Sequence, residues 1–338
     1  MSAEPKPPSA EPVSGDTPRF SIASSPHLLD SSRSTQGMMV DVLIGLAPVL
    51  LVSLIVFRSY ALLQVGLCVV SCLVFEHLCA GMRGRSLPLW DGSAAVTGVI
   101  LGLSLPWSAP WYIAVIGSAV AIGLAKWVFG GLGYNLFNPA MVGRAFVMLS
   151  FAREMGTSAY VRADASIDAV TTATPLAAAK MESVIPVLWP LFVGIHNGSL
   201  GETSALACLI GGVYLCIRRT ASWEIPAGVI LSAAVFAGLA SGIGLSPLSW
   251  FHHLLSGSLL FGAFFIATDP VSSPLTPKGK WIFGAGVGFF IILIRIFSGY
   301  PEGVMFAVLL MNAAVPLINR LTRPVPLGGL PTVEEAVG

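Results

Sequence analysis

The chain has 338 residues, of which 55% are hydrophobic and only 10% charged, with a formal net charge of +1 and a mean hydropathy of +0.82. That balance excludes a soluble globular protein, and the near-neutral charge gives no electrostatic reason to bind nucleic acid. Five cysteines (Cys68, Cys72, Cys79, Cys208 and Cys216) lie in apolar segments without a C-x-x-C pair, so no disulfide framework or complete iron–sulfur site is written here.

Residues 1–37 are rich in Pro, Ser and charge, a composition that cannot pack a core and reads as a disordered cytoplasmic tail. The tail lacks a signal peptide's basic start followed by an apolar core, so the first helix is expected to stay as an uncleaved anchor. Between residues 38 and 320, hydropathy places spans near 39–57, 60–80, 93–107, 110–129, 136–151, 186–217, 225–243, 253–268, 281–297 and 303–318. The expected fold is therefore an all-α polytopic membrane protein of about ten transmembrane helices. Gly, Pro and polar residues interrupt 93–107 and 186–217, which predicts broken or re-entrant helices there. Residues 321–338 form a second short tail, also cytoplasmic.

Threading the chain with its first tail in the cytoplasm puts Lys6, Arg19, Arg33, Arg83, Arg85, Arg218, Arg219, Lys278, Lys280, Arg320 and Arg323 on the cytoplasmic side. Only Arg58, Arg153, Arg162 and Lys180 fall opposite. This excess predicts that both termini are cytoplasmic and that the 152–185 loop lies on the outer face. Within that loop, the stretch DAVTTATPLAAAK (168–180) concentrates threonine in an otherwise apolar chain. Thr171, Thr172 and Thr174 either make side-chain turns before Pro175 or serve a ligand.

Polar groups inside the spans are the second set of candidates, because each is costly in lipid. Arg144 in NPAMVGRAF either neutralises a bound anion or pairs with a carboxylate on a neighbouring helix. Glu202 in GETSAL reads either as an acid at a helix N-terminus or as a group lining a cation path. Glu76, His77 and Lys126 are expected to snorkel to the interface, and Arg295 to pair with Glu302. The pairs Asn138-Pro139 and Asp269-Pro270, with polar helix starts near 92 and 202, hint at an internal inverted repeat. No P-loop, dinucleotide fingerprint or His/Cys metal cluster is present, so no site for acting on a soluble substrate by itself is written in the chain.

Six segments, SPHLLDSSRSTQGMMVDVLIGLAP (25–48), DGSAAVTGVILGLSLP (91–106), GYNLFNPAMVGRAF (133–146), GSLGETSALACLIGG (198–212), FIATDPVSSPLTPKGKWIFG (265–284) and GYPEGVMFAVLLMNAAVPLI (299–318), carry a resemblance. In this order they resemble the RnfD family, membrane subunits of the Rnf electron-transport complex and relatives of the NqrB subunit of the sodium-pumping NADH:quinone oxidoreductase. In that family a threonine in a D-x-x-[ST]-x-A-T pattern carries FMN through a phosphoester, added by a flavin transferase that uses FAD. Asp168, Thr171, Ala173 and Thr174 fit the pattern, which makes Thr174 the expected carrier and Asp168 a recognition element for the transferase. This chain reads T-T-A-T where the commonest form reads S-G-A-T.

The resemblance further implies a bacterial inner-membrane subunit that relays electrons between ferredoxin and NAD, coupled to Na⁺ or H⁺ movement. Its partners would be membrane lipid and the other Rnf subunits, one of them with its own covalent FMN. It also implies a second, non-covalent flavin among the helices near Asn138, and an anion-neutralising role for Arg144 beside a flavin. The alternatives are the NqrB subunit of the quinone reductase and a transporter or channel on the same inverted-repeat scaffold.

Overall fold

In lipid a chain segment must satisfy its own backbone, and helices do this without partners. The computed structural model describes residues 34–84, 91–155, 174–181, 185–194, 196–298 and 302–323, and apart from one isolated antiparallel bridge these are helices and their connections. In chain order the helices are α1 (Thr35–Phe57), α2 (Ser59–Met82), α3 (Ser93–Ser104), α4 (Trp111–Ala119), α5 (Pro139–Ser150), α6 (Ala152–Met155) and α7 (Pro175–Met181). The second half holds α8 (Leu188–Val193), α9 (Ala205–Ile217), α10 (Glu224–Gly242), α11 (Trp250–Leu255), α12 (Leu259–Phe261), α13 (Pro277–Phe297) and α14 (Val304–Leu321). Helix α4 runs on as a π-helical segment, Val120–Trp127, and α12 as another, Gly262–Ile266.

Helices α1, α2, α10, α13 and α14 are each long and apolar enough to cross a bilayer, so the protein is a multi-pass membrane protein. By contrast α3, α5 and α9 have 12, 12 and 13 residues. At 1.5 Å per residue they span roughly 18–20 Å, well short of a ~30 Å hydrocarbon core. The apolar stretch 186–217 is interrupted as its glycines and polar residues predict, dividing into α8 and α9. Two expected spans differ. The 136–151 stretch becomes helical only at Pro139, because Asn138 is extended and caps α5. The 253–268 stretch breaks where Ser256 is extended and Gly257 takes φ 68°, a conformation that glycine adopts without strain.

The short helices meet end to end inside the molecule. Helix α3 starts on the side where α1 begins, since a Cβ on Gly92 would touch the Met39 side chain. We call this the tail side. At the inner end of α3, Gly201 N–H donates to Leu103 O (2.6 Å) and Leu200 N–H to Leu105 O (3.4 Å), beside the Pro106–Ser199 bridge. From there α9 runs back to the tail side, where Arg218, Tyr214 and Thr220 all bond to Asp41 of α1. The other pair has the opposite sense. The π segment after α12 ends at Ile266, whose carbonyl accepts from Asn138 Nδ2 (3.2 Å) at the start of α5. Both junctions join a short helix from one half of the chain to one from the other.

The remaining helices brace this centre. Helices α1 and α9 cross so closely that a Cβ on Gly211 would overlap the Gly45 carbonyl oxygen. The free cysteines are small packing residues, four of them buried and Cys216 partly so.

Candidate functional site

Two places gather polar groups that the fold itself does not consume. The first is a partly open cavity of about 80 Å³ on the tail side. Its walls are apolar, with Met39 and Val42 of α1, Val96 and Ile100 of α3, Leu215 of α9 and Phe265. Helix α3 borders it along one flank, Ser93, Val96, Thr97 and Ile100, whereas α5 meets it with its first turn, Pro139 and Ala140. The partial positive charge of the α5 start therefore falls on the lumen.

Lys126 lines this cavity from the π segment of α4. Its ammonium donates to Glu76 Oε1 (2.9 Å) and to Ser93 Oγ (2.7 Å), and both partners of the ion pair are only 2% exposed. The expected snorkelling of Glu76 and Lys126 is thus overturned. Glu76 of α2 and Lys126 sit at facing depths, and a buried pair avoids the cost of two separate charges. Ser93 Oγ in turn donates to Asp91 Oδ1 (2.6 Å), which also accepts from Ser93 N–H (2.8 Å).

Asn138 lines the cavity, yet its side chain is used by the fold. Oδ1 caps α5 by accepting from Met141 N–H (3.3 Å), and Nδ2 reaches Ile266 O. Its backbone N–H donates to Asn312 Oδ1 of α14 (3.2 Å). Three residues earlier, Asn135 donates through Nδ2 to Phe137 O (3.2 Å), while its buried Oδ1 accepts nothing among the described residues. The lining also includes Asp269, whose carboxylate is turned into its own loop by Val271 N–H and Ser272 Oγ.

The second place is Thr174, on the side away from the tail. Thr174 is 8% exposed, and its Oγ1 accepts from Ala177 N–H (3.3 Å), capping α7 ahead of Pro175. Its hydroxyl proton, the atom a phosphoester replaces, is donated to no acceptor among the described residues. Asp168 and Thr171 lie outside the described residues, as does most of the 152–185 loop. Leu176 and Ala179 of α7 line a further cavity of about 200 Å³ with Lys180, Ser246, His253 and Arg295. Lys180 donates to the carbonyls of Arg295 (2.9 Å) and Ser298, and partial burial holds its ammonium below the ordinary lysine pKa.

Arg144 lies apart from the tail-side cavity, in a buried ionic cluster. Its Nη2 is 2.9 Å from Glu302 Oε2 and 3.6 Å from Glu202 Oε1, and Ser258 also donates to Glu302 (3.4 Å). Of its two sequence readings, the structure displays the pair with carboxylates from other elements. Glu202 does not cap α9, whose N-cap is Ser204. Arg295 does not pair with Glu302 as expected. It donates to the carbonyls of His253 (2.5 Å) and Ser256 (2.9 Å), because the broken turn after α11 leaves those oxygens without helix partners.

Sequence reading does not mark Asn135, Lys126, Lys180 or His253 as site residues. Asn135 stands in the quoted segment 133–146 and carries a signal, as a second Asn before an N-P helix start. The other three join partners far apart in sequence and have no local signal.

With this geometry in hand, comparison with known proteins is informative. Residues 21–328 match the model of the NQR2, RnfD, RnfE family. The chain is 43% identical over 308 residues to the D subunit of a Na⁺-translocating ferredoxin:NAD⁺ oxidoreductase complex of Acetobacterium woodii, covering 90% of this chain and 94% of that one. It is 38% identical to the D subunit of a proton-translocating ferredoxin:NAD⁺ oxidoreductase complex of Clostridium ljungdahlii, over 91% and 96%. The D subunit of an ion-translocating oxidoreductase complex of Actinobacillus succinogenes is also 38% identical, over 90% and 97%. The chain therefore belongs to the NQR2, RnfD, RnfE family.

Proposed function

We propose that the protein is the D-type membrane subunit of an ion-translocating ferredoxin:NAD⁺ oxidoreductase complex, carrying FMN on Thr174 and relaying electrons between other subunits. The observation that carries this reading is the near full-length likeness to D subunits from three organisms. Thr174 supports it from below, as a threonine hydroxyl in the D-x-x-[ST]-x-A-T pattern with its proton unclaimed among the described residues. When bound, the flavin supplies the redox chemistry, and the protein supplies placement and electrostatics. Thr174 Oγ1 would hold the phosphate, after a flavin transferase recognises the loop through Asp168 and Thr171. Lys180 brings a cation to the same short helix, at its far end.

The tail-side cavity is the seat we assign to a second, non-covalent flavin. Apolar walls suit an isoalloxazine ring, Asn135 Oδ1 suits a ring N–H, and the Lys126 ammonium suits a ring oxygen or nitrogen. Arg144, tied to Glu202 and Glu302, would act on either flavin only through its field. The distribution of Lys and Arg supports cytoplasmic termini, which puts the cavity on the cytoplasmic side of the inner membrane and Thr174 on the outer side. The remaining subunits, one of them with covalent FMN of its own, would be the electron partners.

The test is in-gel flavin fluorescence after denaturing electrophoresis of the chain co-expressed with a flavin transferase. A fluorescent band that disappears in Thr174→Ala is the expected result, and a dark band from well-expressed wild type overturns the tether.

A further inference from the structure

Lys126 and the start of α5 bring positive charge to the wall of the tail-side cavity, and this has a redox consequence. Lys126 touches the tail-side cavity, whereas its counter-ion Glu76 is not among the lining residues. The pair is therefore a dipole with its positive end at the lumen. Of the three ammonium protons, Glu76 and Ser93 take two, leaving one without an acceptor among the described residues. Ser93 is locked by Asp91 as the acceptor of its own proton, so its oxygen remains turned to Lys126. The first turn of α5 adds positive partial charge from a further direction, while the start of α3 is capped by the Asp91 carboxylate, which is not on the lining. Asp269, the one acidic group on the lining among the described residues, is held by Val271 and Ser272.

We infer that the Lys126–Glu76 pair sets the redox potential of the ligand in this cavity by favouring its reduced, negatively charged form, with Lys126 as the positioning and charge-bearing residue. The inference rests on the reading of the cavity as a flavin seat. A neutral oxidised ring that takes up two electrons and one proton carries one negative charge. The electrons come from the complex's donor side, or from dithionite in a titration, and the proton from solvent. A cation held in a low-dielectric wall stabilises this charge far more than it would in water. Because the pair is pre-formed, no reorganisation is needed when the charge arrives.

The experiment is a spectroelectrochemical titration of the purified full-length chain carrying Thr174→Ala, so that any flavin present is the releasable one. Glu76→Gln/Lys126→Met removes the cation without stranding a buried carboxylate. It is expected to lower the reduced-to-oxidised ratio at a fixed potential at least tenfold, about 30 mV for a two-electron couple. Glu76→Gln alone keeps the cation, loses its counter-charge, and should shift the ratio the other way. Lys126→Arg should restore the wild-type value.

A double variant that retains its flavin at an unchanged potential overturns the inference and leaves the cavity reading standing. A double variant that loses its flavin supports the inference only if Lys126→Arg keeps both flavin and potential, and counts against it if the arginine variant loses flavin too. A Thr174→Ala chain from which denaturation releases no flavin overturns the cavity reading and the inference with it.

Discussion

Around the tail-side cavity each polar wall group is held by another: Ser93 by Asp91, Lys126 by Glu76, Asn138 by Ile266. At Thr174, one hydroxyl caps a seven-residue helix that follows a polar stretch, and its partner Ala177 belongs to the same turn. The difference reflects two ways of keeping a ligand. A ligand held by weak forces needs walls from many elements, their side chains already held in place with a few polar atoms left for it, so that little ordering remains when it binds. A ligand held by a covalent bond needs one oxygen that a modifying enzyme can reach. The first demands tertiary structure, and the second demands a short readable peptide.

This contrast can be broken at either end. Thr174→Ala is the largest expected effect: complete loss of the covalent fluorescent band, with the amount of flavin released on denaturation unchanged. Removing the cap also costs roughly 1 kcal/mol, confined to α7. Asn135→Leu should do the reverse. It leaves the covalent band intact and weakens the releasable flavin about two- to tenfold, the worth of one hydrogen bond, as measured by flavin retained through dilution and gel filtration.

Gly211→Ala is expected to push α9 away from Gly45 of α1 and so shift Leu215 and the Met39 wall. Overpacking of this kind costs about 1–3 kcal/mol, visible as a lower unfolding midpoint in detergent together with partial loss of the releasable flavin. The covalent band should again be unchanged, and its loss here would show that the two places are not independent. Thr174→Ser is the smallest effect. It keeps both the cap and the reactive oxygen, so the fluorescent band should persist with stability altered by a few tenths of a kcal/mol.

What can be read in the sequence follows the same division. Thr174 and its pattern are contiguous, and so are the Gly, Pro and Ser residues that end α3 and separate α8 from α9. Asn138-Pro139 announces a helix start, because a cap followed by Pro at the first helical position is a local signature. Lys126 and Glu76 are fifty residues apart, and nothing near either one says that they face each other. Each, read alone, belongs at the interface, the cheapest place for an isolated charge. Arg295 and Glu302 mislead the other way. Closeness in sequence suggests a pair, but the helix break at Gly257 gives the arginine two carbonyls, and the packing of α5 against α14 gives the glutamate Arg144.

The π-helical stretch Val120–Trp127 sets a numerical condition on this family member. Its bonds span five residues, as in Val128 N–H to Gly123 O and Gly131 N–H to Lys126 O, so it accommodates more residues than an α-helix would over the same rise. A one-residue deletion inside it could return the segment to ordinary helix and be absorbed by the membrane crossing. In an α-helix one residue is about 100° of rotation, so the same deletion would swing Lys126 away from Glu76 and the cavity. Chain length within these eight residues, as much as the identity of the lysine, decides whether a positive charge faces the lumen.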